Sequence, residues 1–133
     1  MTEIPSKTVV LKYVEALQRG DADAVRDSFA EQATWWLPGE LPLSGTWRGR
    51  DQILDEFLAS AMQYYDPATV SIEVTNVVAE GEQVALEWIT RGRTASGNDY
   101  ENFYSAIFVV RDDRIQAVRE YTDTLYAKNV LFA

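Results

Sequence analysis

The hydrophobic period of this chain changes once, at Pro67, and that change limits the folds open to it. Before Pro67 the apolar residues recur at helical spacing. Val10, Tyr13, Val14 and Leu17 form one stripe, Ala22, Val25 and Phe29 mark a second, shorter helix, and Ile53, Leu54, Phe57, Leu58, Ala61 and Tyr65 form a wide third stripe. After Pro67 the period falls to two, with Val70, Ile72 and Val74 alternating with Ser71, Glu73 and Thr75. A segment patterned for one period does not sit stably in the other. Helices followed by strands predict an α+β fold, with the helices on one face of an antiparallel sheet.

The punctuation agrees. Gly20 is placed to end the first helix and Asp21 to cap the second. "ATWWL" reads as a strand stopped by Pro38 and Gly39, "GELPLSGTWRGR" as a Gly/Pro-rich loop, and Asp51 as the cap of the third helix. Beyond Pro67, Glu80-Gly81-Glu82, "ASGND" and "RDDR" are turns separating the strands 83–94, 100–110 and "IQAVREYTD". "TLYAKNVLFA" reads as a short helix or an extended tail. Without repeat, linker or low-complexity segment, residues 1–133 form one domain, long enough to bury roughly two-thirds of its unfolded surface.

What the chain lacks narrows its chemistry. It has no cysteine and no histidine, so thiol nucleophiles, Ser–His and Cys–His triads and the usual zinc ligand sets are excluded. It has no phosphate-binding loop, dinucleotide-binding glycine pattern or calcium loop, so neither cofactor nor metal is expected. A net charge of −9 without a Lys/Arg cluster argues against nucleic acid. Apolar runs of a few residues argue against a membrane, where about 20 are needed. "MTEIPSK" has no apolar leader core, so a cytoplasmic protein is expected. Proton chemistry falls to Asp, Glu, Tyr or Lys.

Two stretches carry a family resemblance. "YVEALQRGDADAVRDSFAEQATW" near the start and "IFVVRDDRIQAVREYTD" near the end resemble the nuclear-transport-factor-2-like superfamily, in its SnoaL-like and ketosteroid-isomerase-like branch. The resemblance implies a cone-shaped curved antiparallel sheet wrapped around three helices (a cystatin-like α+β barrel), an apolar pocket open at one end, and a homodimer through the outer sheet face. Tyr13 falls where ketosteroid isomerases place the tyrosine that binds the developing oxyanion. Leu37, before Pro38, stands at those enzymes' general-base aspartate, and Ser105 at their second oxyanion donor. "REYTD" resembles the C-terminal motif of SnoaL-like cyclases and limonene-epoxide-hydrolase-like enzymes, which implies that Asp123 faces the pocket and moves protons. The hydrolases' Arg-x-Asp is Arg91-Gly92-Arg93 here, which keeps the arginine and loses the carboxylate.

The candidates follow. Alternation puts Arg119, Tyr121 and Asp123 on one face. If that face lines an apolar pocket, burial raises the Asp123 pKa and a nearby Arg91 lowers it. Asp123, Tyr13 and Arg91 are therefore the expected catalytic set, each weighed against a structural role as cap, core residue and surface ion pair with Glu87. Expected ligand contacts are Trp36, Trp47 (as a lid), Trp88, Ser105 with Ile107, Tyr121 and Leu37. Asn102 and Tyr104 are read onto the opposite face, at a dimer contact. Three functions remain open: an acid–base enzyme (isomerase, cyclase or epoxide-hydrolase-like) acting on an apolar oxygen-bearing small molecule; a non-catalytic binder of a lipophilic ligand; and a structural dimer module whose hollow is filled by its own tryptophans.

Overall fold

In the computed structural model residues 4–133 are described; Met1–Glu3, the start of the stretch read for a leader, lie outside them. Helix α1 (Pro5–Arg19) starts on a proline, whose fixed φ suits the first turn. It ends at Gly20, which takes the left-handed conformation (φ 71°) that caps a helix. Asp21 accepts the Ala24 N–H and opens α2 (Ala22–Asp27). Strand β1 (Phe29–Leu37) follows.

The segment read as a loop contains a further strand, β2 (Gly45–Arg48), paired antiparallel with β1. Its turn is tied by Ser44, whose hydroxyl accepts from Leu41 N–H and donates to the Pro38 carbonyl. Three residues between Gly45 and Gly49 leave no alternation to read. The third helix opens as a π-helical segment, Gln52–Leu58, and continues as α3 (Ala59–Met62), burying Ile53 and Phe57. Asp51 makes no capping bond there; it pairs with Arg26 at 2.7 Å.

Strands β3 (Ser71–Glu80), β4 (Gln83–Arg93), β5 (Asp99–Arg111) and β6 (Arg114–Thr122) form the expected meander. Asp112 and Asp113 both take positive φ (55° and 60°), the backbone a two-residue hairpin turn requires. The chain closes with α4 (Thr124–Tyr126) and a π-helical turn, Ala127–Leu131, so the tail is helical.

The six strands form one curved, unclosed sheet in the order β2-β1-β6-β5-β4-β3. All neighbours are antiparallel except β1 and β6, which run parallel and place the first strand beside the last. The helices cover the inner face, and the core lies between them. β6 carries a bulge: Val110 pairs with Ile115, but Val109 pairs with Ala117, so Gln116 is an extra residue. Ile115 and Val118, three apart, are consequently both buried, and Glu120 follows Val118 inside. Among the described residues no helix is long and apolar enough to cross a membrane.

Candidate active site

A cavity of about 170 Å³ lies between α1, α3, the C-terminal turn and the inner face of the sheet. Val14, Leu17, Leu37, Ile72, Leu86 and Phe108 give it an apolar wall. Alternation delivers them: most inner positions of the strands are apolar, and the α1 stripe covers them. Trp35 and Trp88 line the hollow without filling it, so a module plugged by its own indoles is not what the chain builds.

Against this wall stand a few polar groups. Glu120 is buried on β6, and its Oε1 accepts the Trp35 indole N–H at 3.0 Å. No other group among the described residues donates to it. Burial disfavours the carboxylate and pushes the Glu120 pKa up to about 7; the indole donor offsets part of this. Tyr13, on α1, packs edge-on against Phe29 (ring centroids 5.2 Å apart) and beside Phe108 (5.9 Å). Its hydroxyl has no protein partner among the described residues. Burial, then the nearby Glu120 charge, holds this phenol well above its ordinary pKa, so it stays a neutral donor. On β5, Tyr104 lines the cavity and its hydroxyl lies 2.7 Å from that of Tyr100, which accepts from Asn102 Nδ2 at 2.9 Å. Burial raises the pKa values of Tyr65, Tyr100 and Tyr104 as well.

Of the residues the sequence nominated, Tyr13, Leu37 and Trp88 line the cavity. The others lie elsewhere. Arg119, Tyr121 and Asp123 do share a face, as alternation requires, but it is the outer one, because the Gln116 bulge turns Val118, Glu120 and Thr122 inward. Asp123 is exposed and caps α4, its Oδ1 accepting Tyr126 N–H at 3.0 Å. Arg91 lies on the outer face between Glu73 and Glu101, 2.7 Å from each, and does not pair with Asp123 or Glu87. Glu87 instead takes the Asn76 amide at 3.0 Å. Ser105 and Ile107 pair with the outward Tyr121 and Arg119, so they face out too. Trp36 points away and meets Tyr121 edge-on at 5.5 Å, leaving Trp35 as the inward indole. Trp47 is no lid: it packs behind Phe57 (5.3 Å) and its Nε1 donates to the Leu43 carbonyl. Asn102 and Tyr104, read onto a dimer face, point inward.

Glu120 is the residue the sequence reading passed over. The signal was present: Ile115 and Val118 break strict alternation, which marks a bulge and moves the carboxylate two residues beyond Val118 to the inner face.

Solved structures share this architecture. An NTF2-like protein from Burkholderia xenovorans LB400 is 29% identical, with 98% of each chain covered and a TM-score of 0.79. TerC, co-crystallised with polyporic acid, is 17% identical over 97% of this chain and 99% of its own, with a TM-score of 0.84. A protein assigned to the SnoaL-like polyketide cyclases, from Jannaschia sp. CCS1, is 18% identical over 100% and 98%, with a TM-score of 0.80. No curated protein matches in sequence. The SnoaL-like domain itself matches residues 10–118, from within α1 to the middle of β6, and stops short of Glu120 and the C-terminal turn that complete the cavity. With helices, sheet order and sequence all in agreement, the chain belongs to the SnoaL-like domain family of the NTF2-like superfamily.

Proposed function

We propose that the cavity is an acid–base active site for an uncharged, apolar, oxygen-bearing small molecule, with Glu120 as the proton-transfer group and Tyr13 as the donor to the substrate oxygen. One observation carries the reading: a buried carboxyl with a single hydrogen bond and a phenol with none, counted among the described residues, open into the same apolar hollow. Polar groups so buried cost free energy unless something uses them. Among the described residues no Lys or Arg lines the cavity, so an anionic substrate would meet the Glu120 carboxylate without a cation beside it.

The step needs side chains alone. The Glu120 carboxylate takes a proton from a carbon next to the substrate carbonyl. The C–H electron pair forms a C=C bond as the carbonyl oxygen gains negative charge, and Tyr13 donates a hydrogen bond to that oxygen. Return of the proton to another carbon gives an isomer; attack of the enolate carbon on an internal carbonyl carbon gives a ring, as the enolate re-forms its C=O and the attacked oxygen, receiving its C=O π pair, takes the proton back from Glu120. This accords with fold relatives such as the protein assigned to the polyketide cyclases.

Exchange of α-hydrogens of 2-tetralone in D2O, followed by NMR, tests the step without knowledge of the natural product. Glu120→Gln is expected to slow enzyme-catalysed exchange by about 10²–10⁴-fold, the usual span for a general base. Exchange unchanged in that variant, with 2-tetralone still bound, makes the cavity a carrier site. The same reading includes a homodimer through the outer sheet face, where Phe103 (62% exposed), Val78 (59%) and Tyr121 (44%) present apolar surface to solvent.

A further inference from the structure

Besides Tyr65, Thr90 and Thr122, the polar groups in and behind the cavity wall include the Tyr13–Glu120 set that the proton step uses and a second set that it does not. The second lies along β5, where Tyr100, Asn102 and Tyr104 are alternate inward residues of one strand. Asn102 is fixed at both ends of its amide. Its Oδ1 accepts Phe103 N–H at 2.9 Å, and its Nδ2 donates to the Asp123 carbonyl at 3.2 Å as well as to the Tyr100 hydroxyl. These contacts set which end is nitrogen. The Tyr100 oxygen keeps acceptor capacity beside the amide, so either hydroxyl can donate in its 2.7 Å contact with Tyr104. A ligand oxygen at Tyr104 selects the arrangement in which Tyr100 donates to Tyr104 and Tyr104 donates to the ligand. Trp88 stacks flat on the Tyr104 ring (5.3 Å, 7° between planes) and holds it there. Two buried polar side chains and a half-buried third in a row exceed what packing asks of this wall, since phenylalanine would fill the tyrosine positions without the cost of burying hydroxyls.

Resting on the reading of the cavity as a ligand site, we propose that it grips its ligand at two oxygens. Tyr13 and Glu120 take one, and the Tyr104 hydroxyl takes the other, with Tyr100 and Asn102 as positioning residues behind it. The ligand class is an uncharged, flat, apolar molecule with an oxygen function on each side of its hydrocarbon body. Hydrogen bonds along the chain polarise one another, which strengthens the terminal donor.

Two probes separate this from a single-point site: 2-naphthol, with one oxygen, and 2,6-dihydroxynaphthalene, with one on each ring. Binding is read from quenching of the protein's tryptophan fluorescence. The wild-type protein is expected to prefer the diol by about fivefold to tenfold, the worth of one net hydrogen bond. Tyr104→Phe brings the two affinities within about twofold of each other, and Tyr100→Phe, which cuts the chain behind Tyr104, at least halves the preference. The ratio is the readout that loosened packing would not move, because a loosened wall weakens both probes together. Tyr121→Phe, on the outer face, changes neither affinity. Equal wild-type affinities, or a full preference surviving Tyr104→Phe, overturn the two-oxygen grip; if Tyr13→Phe still weakens both probes, the site of the proton step stands. Failure of both probes to bind the wild-type protein overturns both.

Discussion

Glu120 carries its charge at a cost, and that cost is measurable. Its pKa rises from an ordinary value near 4.5 to about 7 on folding. Between those values the unfolded chain has released the proton while the folded chain retains it, so stability falls as pH rises through this window and levels off above about 7. The shift corresponds to about 3 kcal/mol. Glu120→Gln keeps an oxygen for Trp35 and has no proton to lose. Its urea-denaturation stability relative to wild type is therefore expected to improve by about 3 kcal/mol between pH 4.5 and 8. The same group sets the rate: kcat/KM for exchange should drop about tenfold per pH unit below 7 and reach a plateau above it. Trp35→Phe removes the one donor that favours the carboxylate, so the midpoint of that profile should move to higher pH. A midpoint that stays or falls would separate the indole from the tuning of Glu120.

At the scale of elements, the Gln116 bulge decides which chemistry the last strand turns inward. Strict alternation of the full strand after Ile115 would turn Ala117, Arg119 and Tyr121 inward in place of Val118 and Glu120; deleting Gln116 instead takes out the extra residue, so Ala117 follows Ile115 on the outer face and Val118 and Glu120 stay inward. That variant is expected to fold, as judged by a retained cooperative thermal transition. Gln116→Ala, which keeps the residue count and loses only an exposed bond to the Arg111 carbonyl, should cost about 1 kcal/mol or less. This is also where legibility ended. Helical stripes and alternation were enough to read the helix-then-sheet order, and the α1 stripe with its family resemblance placed Tyr13 on the cavity wall. The face of Asp123 was not readable in the same way. An extra residue in a strand changes no residue type; it shows only as two buried positions three apart. β2 escaped for another reason, since three residues between glycines have no period. The parallel pairing of β1 with β6 depends on how the sheet comes together across the whole chain, which no local pattern encodes.

Across the whole molecule, the cavity is closed by parts distant in sequence. Tyr13 and Leu17 come from the first helix, while Ala127, Leu131 and Phe132 come from the last turn, with Phe132 edge-on to Tyr64 at 4.5 Å. Removing residues 127–133 is expected to abolish 2-naphthol binding, read by fluorescence quenching, while the sheet's far-ultraviolet dichroism persists. Retention of wild-type affinity in the shortened chain would show that the last turn is not a wall of the site. The Trp35–Glu120 hydrogen bond joins positions 85 apart, because β1 runs parallel to β6. During synthesis, then, β1 must wait with an exposed edge while the entire hairpin array emerges from the ribosome. The carboxyl titrates as an ordinary surface glutamate until β6 docks beside β1, so acid–base competence arrives in one step, with that docking.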